Sequence, residues 1–494
     1  VKFPVTDTAI LARRTEIVAA LSRLVPDGVV SEPAGLAAYD GDALSAYRQA
    51  PLVCVLPKTK EDVSAVLRFA ERENIPIVPR GAGTSLSGGA LPRADGILIG
   101  LGRMNRILDI DYENRCVVVE PGVTNLAVTR AVEKRGFYYA PDPSSQIACT
   151  VGGNVAENAG GIHCLKYGLT THNLMGVEIV LPSGEPVRLG GKAFGAGGLD
   201  LLGVVAGSEG LLGVVVEATL RILPKPPVTR TLIAAFRAVP DAGTCVANVI
   251  AAGIVPAAME FMDRRCIEAV EAYCAPGYPA DADALLLVEL DGLQSEVSEA
   301  VMRVGDIARD AGAHAIVEAR GEAERAKLWA GRKAAFPATG RLAPDMLCMD
   351  GTIPRRALPA VLSRIAEMSE EFGLGFCNVF HAGDGNLHPL IIFDVMKGNE
   401  LERAEAFGAA ILKLCVEVGG VLSGEHGIGV EKRDLMPTMF AEADLAQQGR
   451  LKCAFDAKGL LNPGKVFPTL SACIEQGHMH VKGGRLPYPN LPRL

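Results

Sequence analysis

The chain has 494 residues, 49% hydrophobic and 21% charged, with 49 Lys and Arg against 57 Asp and Glu for a net charge of -8. That length exceeds one hydrophobic core and predicts two or three folded units, while the apolar content excludes extensive disorder. The acidic balance excludes a broad electrostatic grip on nucleic acid or anionic lipid, so an anionic substrate needs a local cationic pocket.

The first residues, VKFPVTDTAILARRTEIVAAL, place Arg13, Arg14 and Glu16 inside their apolar stretch, unlike a secretory signal core. PLVCVLP reads as a buried strand. TKEDVSAVLRFAEREN follows as a helix with Thr59 as N-cap, Asp62 in the first turn, and Val63, Val66, Leu67 and Ala70 on one face turned to a sheet. IPIVP is a strand running into the Gly-rich residues 80–89, GILIGL and CVVVEPG are further strands, and a helix over 124–135 is closed by Gly136. Residues 141–161, PDPSSQIACTVGGNVAENAGG, hold too much Pro, Ser, Asn and Gly for a helix or regular strand and predict a long ordered functional loop, followed by the strand-like MGVEIVLPSGE.

LPKPPVTR, near residue 224, is the expected hinge between domains. Beyond it AAMEFMD, ALLLVELDG, AIVEAR, DMLCMDGTIP and FCNVFHAGDGNLHPLIIFD read as strands, and helices are expected around 294–312, 321–335, 356–371 and 399–418. The result is an α+β unit with an antiparallel sheet and helices on one side. No run approaches the roughly 20 apolar residues of a membrane span, so no direct membrane insertion is expected. The 12 cysteines fall singly from Cys54 to Cys473 with no CxxC pair, which excludes a zinc ribbon or an iron-sulfur cluster on this chain and reads as reduced cytosolic thiols.

In residues 80–89 small side chains leave backbone N–H groups able to wrap a pyrophosphate; the alternative is an ordinary turn. Leu86 stands where the nicotinamide fingerprint needs its third Gly, which argues against a Rossmann domain. Gly459, Gly464 and Lys465 approximate a Walker loop, but Val466 replaces the magnesium-binding Ser or Thr, so the segment reads as a turn.

Three of the 8 histidines lie in two polar motifs, FHAGDGNLHPLIIF and LSGEHGIGVEKR. Asp384 and Gly385 signal a two-residue hairpin that sets Gly383 opposite Asn386, Ala382 opposite Leu387 and His381 opposite His388, with Cβ atoms about 4.5–5.5 Å apart. With Glu425 these histidines form a two-imidazole, one-carboxylate ligand set with open positions, suited to zinc, manganese or iron; the alternative is a group of hydrogen-bonded loop residues. Asp384 reads as a turn residue, Asn386 as a turn or substrate contact, and His163 and His172 as structural. The helical AERAKLWAGRKAAF carries Arg332 and Lys333, either a cationic grip for a carboxylate or a solvated face, and Trp329 reads as core.

PRGAGTSLSGG, DPSS, TVGGNVAENAGGIHCLKYG and GSEGLLGVV, in this order, resemble the flavin domain of the vanillyl-alcohol oxidase superfamily, in its D-lactate, glycolate and 2-hydroxyglutarate dehydrogenase branch. The likeness spans about 51–467, and AENAGGIHCLKYGLTTHN is most similar to glycolate oxidase flavin subunits. The resemblance implies an α+β chain with a two-part FAD-binding domain at 1–225, including an N-terminal helical segment. An antiparallel-sheet substrate (cap) domain at 226–468 then returns to the flavin, and a tail follows at 469–494.

It implies an FAD held by Pro79, Arg80, Gly81, Ala82, Gly83, Thr84, Ser85, Gly88 and Gly89, and by Pro141, Asp142, Ser144 and Ser145. Gly152, Gly153, Asn154, Ala159, Gly160, Gly161 and Ile162 continue the cradle, with Glu209, Gly210, Gly213, Val214 and Asn462. Covalently flavinylated relatives carry histidine where Thr84 stands, which implies non-covalent FAD. By the same resemblance His381, His388 and Glu425 hold a divalent metal, Arg332 takes the substrate carboxylate, and His426 is the base for the hydroxyl proton.

The implied reaction oxidises a small 2-hydroxy acid, glycolate or D-lactate, to the 2-oxo acid by hydride transfer to flavin N5. D-2-hydroxyglutarate is the alternative, but Cys348 stands near where dicarboxylate-using relatives carry lysine. Rival readings are a same-fold enzyme acting on a phosphorylated lipid precursor, an oxidase reducing oxygen directly, and a non-catalytic subunit. Because the chain carries no iron-sulfur ligands, the resemblance implies partner subunits, one of them an iron-sulfur protein, and a cytoplasmic protein that meets the membrane through those partners.

Overall fold

The computed structural model of the protein describes residues 3–193, 195 and 198–468. The expected tail at 469–494 lies outside the described residues.

Thr59 and Asp62 form a reciprocal capping box: the Thr59 hydroxyl accepts from the Asp62 N–H at 3.2 Å and the Asp62 carboxylate accepts from the Thr59 N–H at 3.1 Å. The box starts the helix Lys60–Glu73, which Asn74 ends in the left-handed region at φ 52°. Val63, Val66, Leu67 and Ala70 are buried on its face, as the spacing predicts. They meet a sheet of β1 (Val29–Val30), β2 (Val53–Val55), β3 (Ile77–Arg80) and β4 (Ile97–Gly100), in the order β1-β2-β4-β3. Each of the larger side chains contributes about 1.5–3 kcal/mol on burial. The pairings of β2 and β3 with β4 are parallel, so both strands run toward β4's C-terminal end, where the Gly-rich loop leaves β3.

Chain order continues with β5 (Ile107–Asp111), β6 (Cys116–Val119), β7 (Phe137–Tyr138), β8 (Leu174–Val180), β9 (Pro186–Gly190), β10 (Val214–Arg221) and β11 (Leu223–Pro224). An antiparallel sheet runs β5-β6-β10-β8-β9, and β7 pairs with β11 apart from it. Within the loop expected over 141–161, residues Val151–Glu157 are instead helical. Gly152 packs against Pro121, where a Cβ would come within 2.6 Å of the proline ring, and the helix lies on β10. That close approach outweighs the poor helix propensity of two consecutive glycines.

The rest of the chain builds β12 (Val228–Phe236), β13 (Ala258–Asp263), β14 (Ala284–Gly292), β15 (Ala315–Glu318), β16 (Asp345–Cys348), β17 (Gly375–His381) and β18 (Pro389–Phe393). They form one antiparallel sheet, β15-β12-β14-β13-β17-β18-β16. Helices cover both of its faces, not one. Val239–Ala251, Gln294–Asp310, Leu358–Phe372 and Glu400–Glu417 bury their apolar sides with Leu286, Val288 and Leu290 of β14. Arg264–Cys274 and Glu322–Lys333 do so on the other face with Leu285 and Leu287. The unbroken apolar run ALLLV that opens β14 is the mark of a strand buried on both faces, where a half-exposed strand would alternate.

The hairpin between β17 and β18 is also wider than expected. Asn378 pairs with Pro389 and His381 with Asn386, leaving a four-residue turn. A two-residue type I′ turn needs positive φ at both central residues, and only Gly385, at 83°, has it; Asp384 stays at negative φ and accepts from the Asn386 N–H at 3.1 Å. His388 therefore lies diagonally from His381 on the same face, two residues along, rather than directly opposite. The C-terminal segment returns to the first sheet, where Leu461 bridges Ile77 and the Asn462 N–H donates to the Ile77 carbonyl at 2.7 Å.

Candidate active site

A cavity of about 770 Å³ lies where the ends of β3 and β10 meet the ends of β17 and β18, within the size range of small-molecule and cofactor sites. From the first half of the chain its wall takes Pro79, Arg80, Gly81, Ala82, Gly83, Thr84, Ser85 and Gly89, then Asp142, Ser144, Ser145, Gly152, Gly153, Asn154, Ala159, Ile162, Glu209, Gly210 and Gly213. From the second half it takes Arg332, Lys333, Phe336, His381, His388, Glu425 and His426. The expected flavin loops and the expected metal and catalytic residues thus share one space.

Six of the residues expected to touch the cofactor stand behind that wall. Gly88, Pro141 and Gly161 shape the loops, and Val214 is core. Gly160 lies so close to Glu425 that a Cβ would sit 2.6 Å from its carboxylate, which makes it a spacer for that side chain. Asn462 donates to the carbonyls of Gly89 (3.2 Å) and Glu209 (2.6 Å), tying two of the Gly-rich loops together. Lys465 joins it, donating to Gly89 at 2.6 Å and Leu91 at 2.8 Å, so the near-Walker lysine is a buried strut. Arg80 is likewise buried, its guanidinium donating to the Gly41 carbonyl at 2.6 Å.

The histidine cluster follows from sheet register. Glu260 of β13 pairs directly with His381 of β17, and its carboxylate lies 2.8 Å from His381 Nδ1. That hydrogen bond turns Nε2 toward Glu425, 3.2 Å away. His388 Nε2 lies 3.3 Å from the same Glu425 oxygen and 3.6 Å from Asp350 Oδ1, but among the described residues it is buried with no hydrogen-bond partner. The three ligand atoms lie within 4.8 Å of one another. Burial would raise the Glu425 carboxyl, yet the hydrogen bond from His381 and the neighbouring imidazoles hold it at about 2. His426 stacks at a tilt on His388, 4.8 Å between ring centres, and burial pushes it down to about 4, which keeps it neutral near pH 7.

Asp350, just beyond β16, organises the loop that carries two of these residues. Its fully buried carboxylate accepts from the Ser423 hydroxyl, from the N–H groups of Gly424 (3.2 Å), Glu425 (3.1 Å) and His426 (2.9 Å), and from Lys432 Nζ (2.9 Å). Burial would raise it, but His426 and Lys432 hold it well below the usual carboxylate range. Glu209 supports the same loop, accepting from the N–H groups of Ile428 (2.6 Å) and Gly429 (2.8 Å).

Arg332 reaches the cavity from the last turn of Glu322–Lys333 and also donates to Glu260 through Nε at 2.9 Å, while Lys333 is exposed at the mouth. Trp329 is core, its N–H donating to Glu289 at 2.6 Å. Asp350, Lys432, Glu260 and Phe336 are the site residues that sequence reasoning missed. A lone Glu in the apolar AMEFM strand was a readable signal for Glu260; Phe336 had none.

Residues 51–190 match the family model described as an FAD binding domain, and 225–466 the model for the C-terminal domain of FAD linked oxidases. Glycolate oxidase subunit GlcD of Escherichia coli strain K12 is 53% identical over 481 residues, 97% of this chain and 96% of the relative. The chain belongs to the FAD-linked oxidase family. FAD is therefore the cofactor of this FAD-linked oxidase. D-lactate dehydrogenase of Archaeoglobus fulgidus is 36% identical over 423 residues, 85% of this chain and 92% of its own length.

Among solved structures, 4-ethylphenol oxidase from Gulosibacter chungangensis superposes with a TM-score of 0.78 at 18% identity, covering 94% of this FAD-linked oxidase and 98% of that chain. An alkyldihydroxyacetonephosphate synthase does so at 0.71 and 19%, covering 94% and 87%. At such identities the likeness is one of fold alone. No helix among the described residues is long and apolar enough to cross a membrane.

Proposed function

We propose that the protein oxidises glycolate or D-lactate to the 2-oxo acid. The observation that carries this reading is the single cavity in which the flavin loops face Arg332, His426 and the set His381, His388 and Glu425. The names of the relatives from Escherichia coli and Archaeoglobus fulgidus support the substrate class.

The donor set fits a divalent ion, zinc, manganese or iron, on the evidence of the orphaned His388 Nε2 and of Glu260 fixing the His381 ring. Bound FAD supplies the hydride acceptor, and a bound divalent ion supplies a Lewis acid for the substrate hydroxyl. Arg332 binds the substrate carboxylate, and its bond to Glu260 fixes the direction of approach. His426, neutral in its buried pocket, accepts the hydroxyl proton. Phe336 and the Gly-rich loops exclude water around the transferred hydrogen.

Anaerobic addition of glycolate, D-lactate, L-lactate or D-2-hydroxyglutarate to the metal-replete holoprotein tests the reading. Rapid loss of the oxidised-flavin absorbance with one acid, abolished by a chelator and restored by the metal, is the expected result. No loss with any of the four sinks the substrate class.

The FAD is held without a covalent bond. Thr84 lines the cavity where a histidyl link to the ring is chemically impossible. Acid precipitation is expected to leave all the yellow colour in the supernatant; flavin retained in the washed pellet contradicts this. Electrons leave through partner subunits, one carrying iron-sulfur centres, and the protein works in the cytoplasm and meets the membrane through them. The name of the Escherichia coli relative, a subunit, supports that arrangement.

A further inference from the structure

His163 has no part in the chemistry above, yet both of its ring nitrogens face carboxylates from opposite halves of the molecule. Nδ1 lies 2.9 Å from Asp142, a residue of the flavin-side cavity wall. Nε2 lies 3.4 Å from Glu289 on β14 of the large sheet. A histidine with a carboxylate at each nitrogen donates at both. Burial opposes the charge, but Asp142 and Glu289 raise the imidazole to about 10.

Glu289 has further partners. Its second oxygen accepts from Arg325 Nη1 at 2.7 Å and from the Trp329 N–H at 2.6 Å, both on the helix Glu322–Lys333. Arg325, Trp329 and Arg332 are spaced by four and three residues, so they share one helix face. The order of contacts is therefore Asp142, His163, Glu289, helix, Arg332: the flavin side of the cavity is linked to the cation that takes the substrate's carboxylate.

We infer that His163 is a positioning residue that sets the distance between the flavin loop and Arg332, and so seats the substrate's α-carbon against the cofactor. This rests on the 2-hydroxy acid reading for its consequence on substrate, and on the contacts alone for its consequence on the helix. Misplacement of a bound reactant by about 1 Å can cost on the order of a hundredfold, so a loosened link should be visible in kinetics.

The same seam contains a built-in control. Tyr167 donates through its hydroxyl to Asp291 at 2.7 Å, two residues along β14 from Glu289, and among the described residues no hydrogen bond or ion pair joins Asp291 to the helix Glu322–Lys333. Tyr167→Phe therefore loosens the domain seam without touching the path to Arg332.

His163→Gln and Tyr167→Phe are compared with the wild-type holoprotein in two measurements. In steady-state oxidation, His163→Gln is expected to raise KM for the 2-hydroxy acid about tenfold or more, with FAD affinity changed less than about threefold, and Tyr167→Phe to leave KM as it was. Trp329 is the only tryptophan of the chain, so acrylamide quenching reports on the helix without any substrate. Quenching should rise in His163→Gln and stay at the wild-type level in Tyr167→Phe. Unchanged quenching and KM in His163→Gln, or equal changes in both variants, would overturn the inference. If wild-type flavin is reduced by no 2-hydroxy acid, the functional reading fails by itself, and the tryptophan measurement still decides whether His163 holds the helix.

Discussion

Replacing Glu425 by Gln should empty the proposed metal site and slow substrate reduction of the flavin by about three powers of ten. The carboxylate is the only anion of the ligand set and lies between His381 Nε2 at 3.2 Å and His388 Nε2 at 3.3 Å. An amide keeps the volume but removes the charge that draws a divalent ion into a buried pocket. A Lewis acid on the reacting oxygen contributes several kcal/mol, at about 1.4 kcal/mol per tenfold in rate. Elemental analysis of the purified variant should find the flavin bound and the metal missing, and His388→Gln should behave in the same way. A variant that keeps both its metal and its rate removes Glu425 from the ligand set.

The second large effect is on stability. Lys432 and Asp350 are both completely buried and form a 2.9 Å ion pair. Lys432→Met leaves the Asp350 carboxylate without its cation in a place water does not reach, a change that costs about 3–5 kcal/mol. For a unit the size of the second domain that corresponds to roughly 10 °C in apparent Tm. Asp350 then loses part of its hold on the N–H groups of residues 424–426, and the metal content should fall with Tm. Adding Asp350→Asn should cost less than the sum of the single changes, because each variant has already broken the same pair. Thermal unfolding of the three proteins measures this, and a Lys432→Met curve within about 2 °C of wild type would mean that the pair contributes little.

How far sequence sufficed depended on the distance over which each feature is decided. The capping box at Thr59 and Asp62 is four residues long, and every atom it needs is local. The strands and helices read in the second half from apolar runs stand close to where expected because tertiary packing there agrees with local preference, whereas the strand Val228–Phe236 and the helices Val239–Ala251 and Arg264–Cys274 were not read. The turn at Asp384 and Gly385 was misread because Asp-Gly permits a type I′ turn but does not compel one. The contacts that decide it are Gly383 donating to Met259 and Ile353 to Gly385, and these come from β13 and from the segment that follows β16. The helix at Val151–Glu157 depends in the same way on Pro121.

In the site, the donors themselves were legible because histidine and glutamate are rare in such apolar, Gly-rich surroundings. Their supports were not. Glu260 and Asp350 stand far from the histidines they serve in sequence, and only the sheet order β13-β17-β18-β16 brings them beside those residues.

The return of the chain to β3 also bears on how the protein is made. Gly89 belongs to the first flavin loop, yet its carbonyl is occupied by Asn462 and Lys465, residues that leave the ribosome more than 370 positions later. At roughly 5–20 residues per second that gap lasts on the order of half a minute, during which the amino-terminal domain can build its sheets but not close its cradle. With the flavin in the proposed cradle, its capture waits for these late residues, and a nascent chain that lacks them has no complete binding site to offer.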